Sequence, residues 1–192
     1  MKGSFKIAVL LAAYNGMEWI EEQIASILSQ KGVSIKIFIS VDLSSDRTYE
    51  WCQDLARKDV RVEVLTYGEG FGGAAKNFFR LIRDVDSSHF DYIALSDQDD
   101  IWDGDKLHHA IKTIEQDDLD GYSSDVIAFW DNGKEELVKK SFPQKKLDYF
   151  FEAAGPGSAY VLKQQSVQKF KIFLIKNWGR VNLIQAHDWM IG

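Results

Sequence analysis

The sequence predicts an α/β fold: a mostly parallel central sheet flanked by helices. Short continuous apolar runs at Ile7–Ala12, Ile35–Val41 and Tyr92–Leu95 are bounded by turn-forming residues. Such runs mark strands buried on both faces, as in parallel sheets. Between them, apolar residues recur at helical spacing, so the chain reads as successive βαβ units. The third run leads directly into Ser96-Asp97-Gln98-Asp99-Asp100-Ile101-Trp102, and ligands of open α/β sheets bind just beyond strand carboxyl ends.

The elements follow in order. After the first strand, Asn15 with Glu18 three residues on forms a capping-box pattern, with Asn in place of Ser or Thr. Ile20, Ile24, Ile27 and Leu28 then give one apolar helical face. The second strand is followed by Ser44-Ser45-Asp46 as helix-start residues, ahead of Trp51, Cys52 and Leu55. Val60, Val62 and Val64 alternate with Arg61 and Glu63, which predicts a strand with one wet face. The glycine-rich stretch Gly68–Gly73 opens a helix bearing Phe78, Phe79 and Ile82. Leu107, Ala110, Ile111 and Ile114 define the helix after the acidic run. Beyond Asp117 the pattern loosens, with strands expected at Val126–Trp130 and Ser158–Leu162 and no clean crossover helix between them.

These features describe one domain over 1–192, with an α/β half (1–116) and a less regular half (117–192). The chain stops at Met190-Ile191-Gly192, directly after a chemistry-bearing motif, and is expected to be part of something longer. Its 45% hydrophobic and 27% charged content is that of an ordered globular protein. With 23 basic against 29 acidic residues, the net charge of −6 argues against nucleic acid as a partner. A single cysteine, Cys52, provides no internal disulfide and sits in a helical pattern as a small core residue. The apolar run Ile7–Ala13 is too short to span a bilayer and lacks a cleavage site. Six tryptophans and twelve phenylalanines form a large aromatic core or line a sugar cleft.

The acidic run carries the chemistry. Residues two apart in an extended segment point the same way, so Asp97 and Asp99 can converge on one cation. A small set of hard oxygen ligands suits Mg²⁺ or Mn²⁺ that also holds substrate phosphates. A plain acidic loop capping the next helix is the alternative, and three acids directly after a buried strand favour the metal.

The ordered motifs resemble the family-2 glycosyltransferases of the GT-A type, and the rhamnosyltransferase-like branch of bacterial polysaccharide biosynthesis in particular. The resemblance rests on Ala13-Tyr14-Asn15-Gly16, Val41-Asp42-Leu43-Ser44-Ser45-Asp46-Arg47-Thr48 and Lys76-Asn77-Phe78. It continues through Ser96–Trp102 with Asp105-Lys106-Leu107, and ends at His187-Asp188-Trp189. It implies a GT-A nucleotide-diphospho-sugar transferase fold and metal-dependent, inverting transfer of a sugar, with rhamnose first among candidates. The donor would be a nucleotide-diphosphate sugar (dTDP- or UDP-linked) and the acceptor a bacterial glycan or lipid-linked glycan. It further implies a cytoplasmic location, at the inner membrane face where association is peripheral. By motif, Ala13, Tyr14, Asn15, Asp42 and Asn77 become nucleotide contacts. Asp97 serves ribose or metal, Asp99 the metal, and Asp188 is the catalytic base. Leu43 stands where the family has glycine, and Val41 where a second acid is usual.

Each residue has a structural alternative. Asp188 serves equally well as a helix N-cap, and Asp42 as a cap for the helix that follows it. His187 is a ligand, a phosphate donor or a satisfied histidine; Trp102 stacks on substrate or anchors the core. Gly155-Pro156-Gly157 is a plain turn or an acceptor-side loop. Other classes compete as well. Gly68-Glu69-Gly70-Phe71-Gly72-Gly73 is a literal G-x-G-x-x-G, the signal of an NAD(P)-dependent oxidoreductase. Asp42-Leu43-Ser44-Ser45-Asp46 resembles, poorly, the metal-adhesion motif of von Willebrand A-type domains. A non-catalytic nucleotide-sugar- or metal-binding module is the remaining option.

Overall fold

A computed structural model describes residues 4–130, 132–140, 142, 153–181, 183–184 and 186–187. Strands β1 (Phe5–Ala13), β2 (Val33–Val41), β3 (Val62–Val64) and β4 (Tyr92–Ser96) alternate with helices α1 (Ile20–Leu28), α2 (Thr48–Lys58) and α3 (Ala74–Asp84). Helix α4 (Lys106–Gln116) and the short β5 (Gly121–Tyr122) follow. Next come the hairpin strands β6 (Val126–Phe129) and β7 (Glu135–Val138), a 3₁₀ turn at Gly157–Ala159, β8 (Val161–Lys163), α5 (Gln164–Lys176) and α6 (Trp178–Val181).

The main sheet has the order β3-β2-β1-β4-β8-β5. Its first four strands are parallel, and β8 runs antiparallel to both β4 and β5. The second half of the chain thus supplies two strands of the same sheet. Strand order reverses between β1 and β4, where Leu11 opposite Ser96 is the last backbone pair. Beyond that pair a crevice opens at the strand carboxyl ends, the usual ligand position in such sheets.

Alternation along the strands explains the layers. Ile7, Val9, Leu11 and Ala13 join Ile37, Ile39 and Val41 on one face, covered by α1, α2 and α4. Ala8, Leu10 and Ala12 face the other way with Phe38, Ile93 and Leu95, covered by α3 and α5. Both faces of β1 are dry, which is why its sequence carries no polar alternation. Among the described residues, no helix is long and apolar enough to cross a membrane.

Three expectations are corrected. The capping box is not formed: α1 starts at Ile20 with no side-chain cap, and Gly16 O accepts the N–H groups of Trp19 and Ile20. Asn15 sits at φ 46 and accepts from Ser45 N–H instead, at 2.7 Å. The third strand is shorter than the valine alternation suggests. Val60 lies outside it, 92% exposed, because Asp59 turns the chain by accepting from Arg61 N–H and the Arg61 guanidinium. Ser158 belongs to the 3₁₀ turn, and the strand begins only at Val161. The strand expected at Val126–Trp130 is present as Val126–Phe129, and it pairs with β7 in a separate hairpin.

Cys52 is fully buried against the first core face, and burial, then the charge of Asp46, pushes its thiol up to about 12 from 9.0. A thiol that keeps its proton in the fold contributes stability that is complete below pH 9 and lost as pH rises towards 12. We expect Cys52 to resist iodoacetamide at pH 8 in the native protein and to react rapidly in urea. Denaturant midpoints should fall between pH 9 and 12 more steeply than for Cys52→Ala.

Candidate functional site

Six of the residues singled out in the sequence meet at one cleft of about 730 Å³. Ala13, Tyr14, Asp42, Asn77, Asp97 and Asp99 line it together with Gln98, with Leu43, and with Gly70, Gly72 and Gly73 of the glycine-rich loop. They come from the carboxyl ends of β1, β2 and β4 and the first turn of α3. Asn15 is outside this lining; its side chain staples the first loop to Ser45.

Asp42 ends β2 and does not cap α2. Its Oδ1 accepts from Leu43 N–H (2.7 Å) and Phe71 N–H (2.8 Å), and its Oδ2 from Gly72 N–H (3.0 Å). The glycine loop is therefore drawn across the cleft, with Gly68 at φ 121 and Gly72 at φ 70, backbone angles that favour glycine. Phe71 in that loop stacks on the Arg80 guanidinium, which in turn donates to Ser40 Oγ and Thr66 O. The start of α2 is held by Asp46, whose carboxylate accepts from Thr48 N–H and from Met17 N–H. Burial alone would raise Asp46, yet these bonds and the Thr48 hydroxyl hold it below the usual carboxylate range.

Asn77 is buried and ties two strand ends together, its Nδ2 donating to Ala13 O (3.3 Å) and Ser40 O (3.0 Å). Its Oδ1 is buried without a hydrogen-bond partner among the described residues, an acceptor that a ligand donor could satisfy.

The acidic run is held by polar residues on α1 and just after it that sequence reasoning missed. Gln23 and Ser26 lie at i and i+3 on one face of α1, and Gln30 follows just past the helix end at Leu28. Gln23 Nε2 donates to Ser96 Oγ, and Ser26 Oγ accepts from Trp102 N–H. Gln30 donates to Asp103 O at 2.6 Å and accepts from Leu107 N–H. The signal was present in two glutamines at positions a helical wheel assigns to the buried face. Trp102 is buried in the core and therefore anchors this run, with the Lys106 ammonium 3.8 Å from its ring centroid.

Charge balance separates the acids. Burial pulls the half-buried Lys106 down to about 8, against the attraction of Asp100, Asp103 and Asp97, so it remains a cation at neutral pH. Asp99 is instead raised above the usual carboxylate range, by desolvation first and then by the neighbouring Asp100 charge. That is a local excess of negative charge which a divalent cation would relieve. Among the described residues no group of three or more His, Cys, Asp or Glu is arranged to hold a metal. The donor set fits Mg²⁺ or Mn²⁺ that keeps most of its shell for water and diphosphate oxygens.

On the far side, His187 is buried and stacks on Phe78 with ring centroids 4.2 Å apart. A Cβ at Gly157 would run into the His187 ring, so the Gly155-Pro156-Gly157 turn is shaped to receive it. Asp188, expected as the base, lies outside the described residues.

The profile of the family described as glycosyl transferase family 2 matches residues 8–175. The chain belongs to that family. It is 48% identical over 183 residues to the dTDP-rhamnosyl transferase RfbG of Shigella flexneri, covering 94% of this chain and 63% of the relative. The chain thus spans somewhat under two thirds of that relative's length. Two solved structures share its fold. S. aureus TarS 1-349 in complex with UDP superposes with a TM-score of 0.71 at 15% identity, covering 97% of this chain and 53% of the other. The mannosyltransferase PcManGT of Pyrobaculum calidifontis, in complex with GDP-Man and Mn²⁺, gives 0.63 at 15% identity over 88% and 47%. The GT-A fold expected from the motifs is the fold observed.

The family-2 assignment displaces the oxidoreductase and adhesion readings, and the geometry says why. The G-x-G-x-x-G loop follows the edge strand β3, and its Phe71 and Gly72 amides are taken by Asp42 instead of facing a pyrophosphate. In the would-be adhesion motif, Ser44 Oγ donates to Asp42 O and Asp46 serves the start of α2.

Gln30→Ala should strand Asp103 O and Leu107 N–H together. We expect a loss of about 1–3 kcal/mol in urea unfolding, the usual cost of unpaired buried groups, accompanied by weaker nucleotide binding from a loosened acidic run.

Proposed function

We propose that the protein moves a sugar from a nucleotide-diphosphate donor to a hydroxyl of a bacterial glycan or lipid-linked glycan, with inversion at the anomeric carbon. The gathering of Tyr14, Asp42, Asn77, Asp97 and Asp99 around one cleft at the switch point is the observation that carries this reading. The 48% identity to a dTDP-rhamnosyl transferase supports rhamnose and a dTDP donor as the first choice. Polysaccharide assembly at the cytoplasmic face of the inner membrane, by peripheral association, is the setting this implies.

In this reading the nucleoside lies at Tyr14, Asp42 and Asn77, and the diphosphate at Asp97 and Asp99. A cation bound with the diphosphate would act as a Lewis acid for the leaving group. Asp99 would hold that cation, while Lys106 keeps Asp97 and Asp100 from repelling the diphosphate outright. Asp188 would take the acceptor proton as the hydroxyl attacks the face opposite the leaving group. By analogy with inverting glycosidases, single displacement inverts the centre without a covalent intermediate. His187, packed on Phe78 and Gly157, sets where the chain enters that segment.

Three outcomes test the proposal. A panel of nucleotide sugars offered with glycan acceptors should give a product detected by mass spectrometry, with inverted configuration by NMR; retention would rule out the mechanism. In calorimetry, Mn²⁺ should strengthen nucleoside diphosphate binding to the wild type and leave Asp99→Asn unaffected. Asp188→Asn should slow turnover by roughly 10²–10⁴-fold, the usual contribution of a positioned base, with donor affinity nearly intact. Near-normal turnover in that variant would remove Asp188 from the mechanism.

A further inference from the structure

Gln98 stands between the two acids of the cleft, and its amide is committed to the backbone of Tyr14. Its Oε1 accepts from Tyr14 N–H at 2.7 Å, and its Nε2 donates to Tyr14 O at 2.8 Å. One side chain thereby reproduces both halves of a backbone pair. It does so where backbone pairing has stopped, since Leu11 opposite Ser96 is the last rung between β1 and β4.

The chain makes room for this contact. A Cβ on Gly16 would meet the Gln98 amide group, and Gly16 is not among the residues at positive φ. Glycine is therefore needed there for space rather than for backbone conformation. Few side chains could replace Gln98. Glu lacks the donor for Tyr14 O, Asn is one methylene short, and Ala leaves both groups of residue 14 to water.

We infer that Gln98 is a positioning residue that sets the span between the nucleoside end of the cleft, at Tyr14, and its diphosphate end, at Asp97 and Asp99. A nucleoside diphosphate has a fixed reach from base to phosphate, so both ends bind together only when the two lips stand at the matching separation. The inference rests on the function proposed above for this cleft. Gln98 itself need not touch the donor. It couples the two ends, and each end alone binds without it.

The test uses Gln98→Met, which keeps the stem and removes the amide, and Gly16→Ala, which displaces the amide from the other side. Hydrogen exchange should show faster exchange of the Tyr14 amide in both variants, with the β1–β4 amides still protected. Calorimetry should show thymidine or uridine binding changed by less than about twofold, while the matching diphosphate with Mn²⁺ weakens about tenfold, a typical coupling between sites. Unchanged diphosphate affinity in both variants would overturn the inference. So would an equal loss for nucleoside and diphosphate, which would make Gln98 a direct nucleoside contact. Loss of β1–β4 protection in both variants would make it a residue of general stability and overturn the inference too. If the wild type bound no nucleoside diphosphate, the proposed function would fail, while the Tyr14 exchange measurement would still report on the clamp.

Discussion

Neutral hydrogen bonds from α1 to the acidic run are what the site depends on. Between Asp97 and Asp105 the chain carries five carboxylates, whose mutual repulsion favours spreading the loop. Gln23, Ser26 and Gln30 oppose that spreading without adding charge, by engaging the Ser96 hydroxyl and the backbone at Trp102, Asp103 and Leu107. Neutral partners hold the run without cancelling its charge, whereas a cationic stripe would have neutralised it. Trp102 adds apolar weight beneath the run, and Lys106 over its ring supplies a nearby positive charge.

The parallel sheet was legible because its strands are buried on both faces and therefore read as uninterrupted apolar runs. The cleft residues were legible for a related reason: polar groups directly after such runs fall at strand carboxyl ends. What escaped the sequence was the division of labour among polar side chains. Asn15 looks like a cap, but a left-handed backbone turns its amide towards Ser45. Asp42 looks like a cap or a ligand contact, and its hydrogen bonds within the chain go to a loop about thirty residues onward. Gln23 and Gln30 gain their partners only when the acidic run is folded against them. β7 was missed because Glu135 and Glu136 conceal the alternation of a hairpin exposed on both sides.

The two faces of the sheet carry different duties. The face covered by α1, α2 and α4 supports the acidic run and the first loop. The face covered by α3 and α5 supports Asn77 and Arg80, and it receives His187 through Phe78. The acidic run and Asn77 thus meet at the carboxyl ends of β1 and β4 while drawing their rigidity from separate cores. A substitution inside one core would disturb one side of the cleft before the other.

The hydrogen bonds of Asp42 carry a stoichiometric consequence. A carboxylate offers about four lone-pair positions, and three are occupied by the amides of Leu43, Phe71 and Gly72. One position remains for a visitor. A heterocycle presenting a single N–H can be met in full there, whereas an edge with two adjacent donors would leave one unanswered in a desolvated corner. In the function proposed above, the choice among bases would thus be made partly by subtraction, through how much of one acid the chain's own amides have already claimed.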